Sequence, residues 1–363
     1  MRQSERDGRG KRGRYGKMID CMNTNEPILV AAPPRIFPTI LKGFNTVAGQ
    51  VHLILLPVLL DLFLWLGPRL RIYDLFAPAI QMLNANMLKV APAEMLETVR
   101  NATALYTEMF QQFNLFSAIR TLPVGVPSLV ARMSVAQTPA VFFGNFEISS
   151  LRVGIAALGG LLTLGFLLGA IYFNALSRYS QPEVNAFSWN KLFNQYAQTL
   201  VLFLILVALL IAISIPLLLL VSILSLISAG LAQFIIVLVG FLAIWLILPL
   251  VFSPHGIFAL DQKVVPSMLL SLRMVRFFLP GTSFFILVCI LINEGLNMVW
   301  TIPGTASWLL LIGIGGHAFI VTALLAASFL YYRDGIKWMQ YNVQKMTETL
   351  KKQESGGTLD EQP

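Results

Sequence analysis

Between Lys191 and Asp261 the chain runs for 69 residues without one Asp, Glu, Lys or Arg, and between Arg276 and Arg333 its only charged residue is Glu294. A helix needs about 20 apolar residues to cross a hydrocarbon core about 30 Å thick, so each run is long enough for two crossings. The rest of the chain agrees. Hydrophobic residues make up 56% of the 363 and charged residues 12%, with a mean hydropathy of +0.72, whereas soluble domains carry about a quarter charged residues. In hydrocarbon every backbone N–H and C=O must find a partner inside the protein, which leaves helices or closed barrels. Long unbroken apolar runs, with no period-two alternation, select helices. The fold class that follows is all-α, a polytopic transmembrane helix bundle of about six spans with an extracytoplasmic amphipathic helical insertion.

The expected spans are 47–67, 151–175, 199–222, 231–253, 279–300 and 307–331, with a turn between the third and fourth at Ser228, Ala229, Gly230 and Gln233. They divide the chain into a basic N-terminal tail, 1–46, a membrane domain, 47–331, and a C-terminal tail, 332–363. Lys and Arg concentrate in loops on the cytoplasmic side. With the N-terminus inside, that side holds nine in the tail, then Arg178 and Lys191, then Lys263, Arg273 and Arg276, then Arg333, Lys337, Lys345, Lys351 and Lys352. The two short outer loops hold none. Both termini are therefore expected in the cytoplasm. Met18 and Met22 offer alternative translation starts.

The segment 68–150 is the largest expected outside the membrane. In it Met95, Leu96, Val99, Ala102, Tyr106, Met109, Phe110 and Phe113 recur at helical spacing, as on an amphipathic helix against the outer leaflet or the bundle. A second helix, from Ile72 to Met87, is expected to break at Pro78, and the stretch containing Pro123, Pro127, Pro139 and Gly144 is expected to be irregular. On the cytoplasmic side, Pro266–Phe278 combines apolar residues with Arg273 and Arg276 and suits an interfacial helix beside anionic headgroups.

Ionisable and amide groups inside hydrocarbon are costly, so they are where function is sought. Asp61 and Glu294 fall at similar depths in their spans. Asn293 and Asn297 flank Glu294, and His317 lies in the middle of the last span. Together they make a candidate substrate-binding set in the outer half of the bundle. The alternative is that the two carboxylates are interfacial, solvated or paired with Arg69, Arg71 or Arg152. Gly165 and Gly169 form a G-x-x-x-G pair that permits close helix packing and makes the second span a candidate for the centre of the bundle. Pro57, Pro216 and Pro249 are candidate kinks. His52 is expected at an interface, and His255 at a cytoplasmic helix end.

Other chemistries lack support. Gly8, Gly10 and Gly13 match G-x-G-x-x-G, but no strand precedes them. Walker A, H-E-x-x-H and G-x-S-x-G motifs are missing. Cys21 and Cys289 form no disulfide framework, and the three histidines no zinc pattern. No cofactor or metal is expected, and the basic tail is better matched to anionic lipid than to nucleic acid.

The stretch Leu56–Leu70, with Pro57, Asp61, Trp65, Gly67, Pro68 and Arg69, resembles one found in bacterial membrane proteins of unassigned activity, notably from Chloroflexota. Ser253–Pro280, where a span is followed by Asp261 and a helix with Ser271 and Arg273, resembles the membrane domain sometimes fused to glycerophosphodiester phosphodiesterases. These resemblances imply a multi-helix protein of the bacterial cytoplasmic (inner) membrane and carry no catalytic motif. Two functions stay open. One is permease-like binding or transport of a small or lipidic substrate. The other is a non-catalytic scaffold or assembly factor that holds a protein partner or a second copy through its amphipathic segments. Membrane lipids are expected partners of either.

Overall fold

The computed structural model describes residues 33–90, 96–140, 142–181 and 187–356. The basic residues 1–32, with Cys21, Met18, Met22 and the glycine motif, lie outside the described residues, as do Met95 and residues 357–363. The described helices are α1 (Ile36–Gly49), α2 (Leu55–Leu66), α3 (Tyr73–Val90), α4 (Leu96–Gln112), α5 (Leu151–Tyr179), α6 (Trp189–Ile227), α7 (Ala229–Ile247), α8 (Ser253–Leu260), α9 (Val264–Phe277), α10 (Leu279–Trp300) and α11 (Leu310–Gly356). A two-stranded parallel ribbon, β1 (Arg69–Arg71) with β2 (Asn145–Glu147), ties the two ends of the insertion together. The protein is an all-α bundle. Five stretches are long and apolar enough to cross a membrane, or six if one bent pair counts as a span.

The bent pair lies where the first span, 47–67, was expected. α1 and Val51–Leu66 meet at 95°. No proline lies at the corner: Gln50 adopts a non-helical backbone (φ −138, ψ 61), and a short 3₁₀ turn, Val51–Ile54, leads into α2. α1 also begins within the expected tail. Thr39, Ile40, Gly43 and Val47, spaced by one, three and four, put one buried face against α11. A Cβ on Gly43 would run into the Ala323 carbonyl and the Ala327 side chain, so glycine sets how closely α1 approaches.

α11, not α5, is the centre of the bundle. Over half (56%) of its most apolar stretch is buried in protein, against 22% for α5. Ala318, Ala323, Ala326 and Ala327 are fully buried on different sides of α11, and small side chains there let several elements reach its backbone. At 47 residues it is about 70 Å long at 1.5 Å per residue, well beyond a bilayer core.

One end of the bundle is closed by Trp65, whose Nε1 donates to the Thr305 carbonyl (2.8 Å) and whose ring meets Trp308 edge-on. At the opposite end Lys191 pairs with Asp261 (2.8 Å), Gln195 Nε2 donates to the same carboxylate (2.8 Å), and Arg333 donates to the Ser180 carbonyl (3.0 Å). Asp261 itself is left-handed (φ 50) and terminates α8, a conformation a short polar side chain tolerates.

The prolines act differently from one another. Pro216 lies inside a continuous α6 and Pro78 inside a continuous α3, where a break was expected. Pro57 sits in the first turn of α2, where the missing N–H costs least. Pro249 coincides with the 3₁₀ turn between α7 and α8.

Candidate functional site

The irregular stretch after α4 is where the candidate site forms. Residues 115–130 are short turns rather than regular helix, yet Leu115, Ile119, Thr121, Val124, Val126, Ser128, Leu129 and Val130 are all buried. Irregular backbone at membrane depth is tolerated only inside protein or beside a water-filled cavity. Here the segment is seated in the bundle and held from three sides.

The first hold is Asp61. It is fully buried, and its carboxylate accepts from Ser128 Oγ (2.5 Å), Leu129 N (3.1 Å) and Val130 N (2.9 Å). It therefore caps the 3₁₀ turn Val130–Arg132, as carboxylates cap helix starts by taking up N–H groups with no partner. The second is Glu294 on α10, which receives Arg132 Nη1 at 2.7 and 2.9 Å and Asn293 Nδ2 at 2.9 Å. The third is the glycine pair of α5. A Cβ on Gly165 would run into the Ile119 carbonyl, and one on Gly169 would stand within 2.9 Å of Gly125 Cα, Gly125 N and Val124 O. The close packing expected of Gly165 and Gly169 is thus made with this irregular segment, not with another α-helix.

Of the expected site residues, Asp61 and Glu294 meet on one short stretch, 128–132, as clamps rather than as open ligands. Asn297 and His317 pair with each other (Oδ1 to Nδ1, 2.7 Å), both buried between α10 and α11. His317 lies within electrostatic reach of Arg120, Arg132 and Glu294. His52 stands edge-on to Tyr179. His255 lies in the first turn of α8 (Ser253–Leu260). It is buried in α8, and its Nε2 meets Ser328 Oγ at 2.7 Å. Because the Ser328 proton goes to the Leu325 carbonyl, the histidine is the donor of that pair, and Ser328 is not set up as a nucleophile.

Beneath the seated segment lies a cavity of about 380 Å³, within the range of about 300–1,000 Å³ usual for small-molecule sites. Pro123 and Val126 of the segment cover it, and Phe173 (α5), Phe252, Phe285 (α10) and Leu324 (α11) form its depth. Along α10 it extends from Phe285 to Asn293, about 12 Å at 1.5 Å per residue. The rim includes Leu122, Val251 and Ile290, which are 72%, 43% and 52% exposed on the apolar flank of the bundle. The cavity is therefore a groove that opens sideways, between α10 and the α7–α8 junction.

The two ends of the groove differ. His255 and Ser328 close one. At the other stand Arg120 and Asn293. Arg120 is half-buried, and its guanidinium makes no hydrogen bond or ion pair among the described residues. The charges of Arg132, Asp61 and Glu294 lie within electrostatic reach of it. The charge of Arg132, by contrast, is matched by Glu294.

Sequence reasoning missed Arg120, Arg132 and Ser128, all in the stretch expected to be irregular. The signal was present: from Ile119 to Ala131 the chain has one charge and many apolar residues, unlike a solvated loop. Comparison with protein-family models, with curated proteins and with solved structures returns no match for this chain.

Proposed function

We propose that this protein is a permease-like binder of lipidic molecules, which admits the apolar part of its substrate from the bilayer through the side of the bundle. The observation that carries this reading is the groove itself, apolar along its depth and open on a flank whose rim side chains are apolar and exposed. A molecule dissolved in hydrocarbon enters such a groove without crossing water, and the gain is close packing against preformed aromatic and aliphatic walls. If the end of the bundle that holds Lys191, Lys263 and Arg333 is cytoplasmic by the positive-inside rule, the Arg120 end lies toward the outer leaflet of the cytoplasmic membrane.

The test is photolabelling in native membranes with a diazirine-bearing fatty alcohol. Labelled peptides covering Ile286–Asn293 and Phe252, lost in excess unlabelled alcohol, support the reading. Labelling spread over α6 and α7 with no competition overturns it.

A second reading, a membrane scaffold, draws on the α3–α4 hairpin. Phe76 stacks on Phe110 inside it, while Met82, Leu83, Leu105, Tyr106 and Met109 stay exposed. Affinity purification in mild detergent tests this: a reproducible partner lost when Tyr106 and Met109 are both changed to Ser favours the scaffold, and unchanged co-purification excludes that surface.

A further inference from the structure

We propose that the groove takes a single-chain anionic lipid, with the chain under the segment 120–127 and a carboxylate or phosphate head on Arg120. This rests on the groove being a lipid-binding site and goes further by naming the head. The argument starts from charge. Four charged side chains, Asp61, Arg120, Arg132 and Glu294, interact at this end. Three of them are committed: Asp61 to the turn at 128–130, and Arg132 and Glu294 to each other. Of the four side chains, only the Arg120 guanidinium has no hydrogen-bonding partner among the described residues, although the residue is half-buried and lines the groove. A guanidinium held away from water is costly unless something receives its five donors, and a carboxylate or phosphate receives two of them side by side.

The rest of the groove sets the other end of the molecule. About 12 Å of apolar wall below Arg120 matches part of one acyl chain, and the sideways opening lets the remainder lie in lipid. Asn293, also on the lining, has its Oδ1 buried without a partner. It offers an acceptor to a hydroxyl close to the charged head, as in a glycerol backbone.

The probe that separates the two levels of the reading is cis-parinaric acid, a fluorescent fatty acid, beside its uncharged methyl ester, with the purified full chain in detergent. The expected result is that both bind and that the acid binds about tenfold or more tightly, the size expected for a charge-assisted bidentate contact. Arg120→Gln brings the acid down to the affinity of the ester, Arg120→Lys restores part of the preference, and Arg100→Gln, on the exposed face of α4, changes neither. Lysophosphatidate is then expected to displace the acid from the wild-type chain more effectively than a neutral monoacylglycerol does. Equal binding of acid and ester to the wild type, or a preference that survives Arg120→Gln, overturns the head assignment and leaves the groove standing. If neither probe binds, or if Cys289→Trp in the groove wall leaves both affinities unchanged, the groove reading itself falls.

Discussion

The segment 115–130 and the hairpin formed by α6 and α7 are opposites in sequence and in structure. The hairpin carries no charged residue beyond Lys191 and is apolar almost throughout, yet from Leu206 to Ile247 Ala232 is its only buried residue among those described. Leu210, Ile215, Leu219, Ile223, Phe234 and Phe241 are all more than half exposed. Such a surface in water would aggregate. In a bilayer it is at rest, because every backbone group of a helix is bonded within the helix and lipid is as apolar as leucine. The segment has no α-helical ladder, only a short 3₁₀ turn at Leu115–Ile119, so it is stable only where α2, α5 and α10 supply partners and close contacts. Hydropathy therefore measures fitness for lipid, and burial measures dependence on the rest of the protein. The two part most clearly at α6 and α7, which are the most apolar of the long helices and the least buried.

That contrast can be broken by substitution, with stability read as thermal unfolding in mild detergent. Asp61→Ala is expected to have the largest effect, about 3–5 kcal/mol, because it strands the Ser128 hydroxyl and two buried N–H groups. Asp61→Asn keeps one acceptor and should cost visibly less. Leu129→Ala, at a fully buried position, should cost about 3 kcal/mol. The same change at Leu219, 61% exposed, should stay within about 0.5 kcal/mol. An equal loss at the two leucines would erase the distinction between the regions. Gly169→Val, which pushes against Gly125, is expected to cost about 2 kcal/mol and to expose the segment to proteolysis near Leu122. Glu294→Gln should be the mildest, below about 1 kcal/mol, since both partners of its ion pair are more than a third exposed.

These differences also mark what the sequence could and could not say. Charge-free runs announce membrane helices because the requirement is local, and the apolar parts of four of the five long apolar helices sit in the two runs; the fifth, α5, lies outside them. Asp61, Glu294, Asn293, Asn297 and His317 were legible as polar groups in apolar surroundings. Their division into clamps (Asp61, Glu294) and a buried pair (Asn297 with His317) was not, because it depends on a loop more than 60 positions from Asp61 folding back onto it. The G-x-x-x-G pair announced a close approach but not its partner, since a missing Cβ admits a strand of irregular chain as readily as a helix. The centrality of α11 was written in its alanines, at 318, 323, 326 and 327, which are less conspicuous than glycines. The bend at Gln50 carried no proline to mark it.

The seating of the segment in the bundle is the claim on which the groove depends, since residues 120–127 are its cover. Hydrogen exchange read by mass spectrometry, on the full chain in lipid nanodiscs, tests it most directly. Peptides spanning Ile119–Val130 should exchange nearly as slowly as the buried part of α11, with Leu129 and Val130 protected by Asp61, and Asp61→Asn should speed them selectively while leaving α11 unchanged. Exchange of that stretch at the rate of the exposed residues 142–147, in the wild-type chain, would contradict the account.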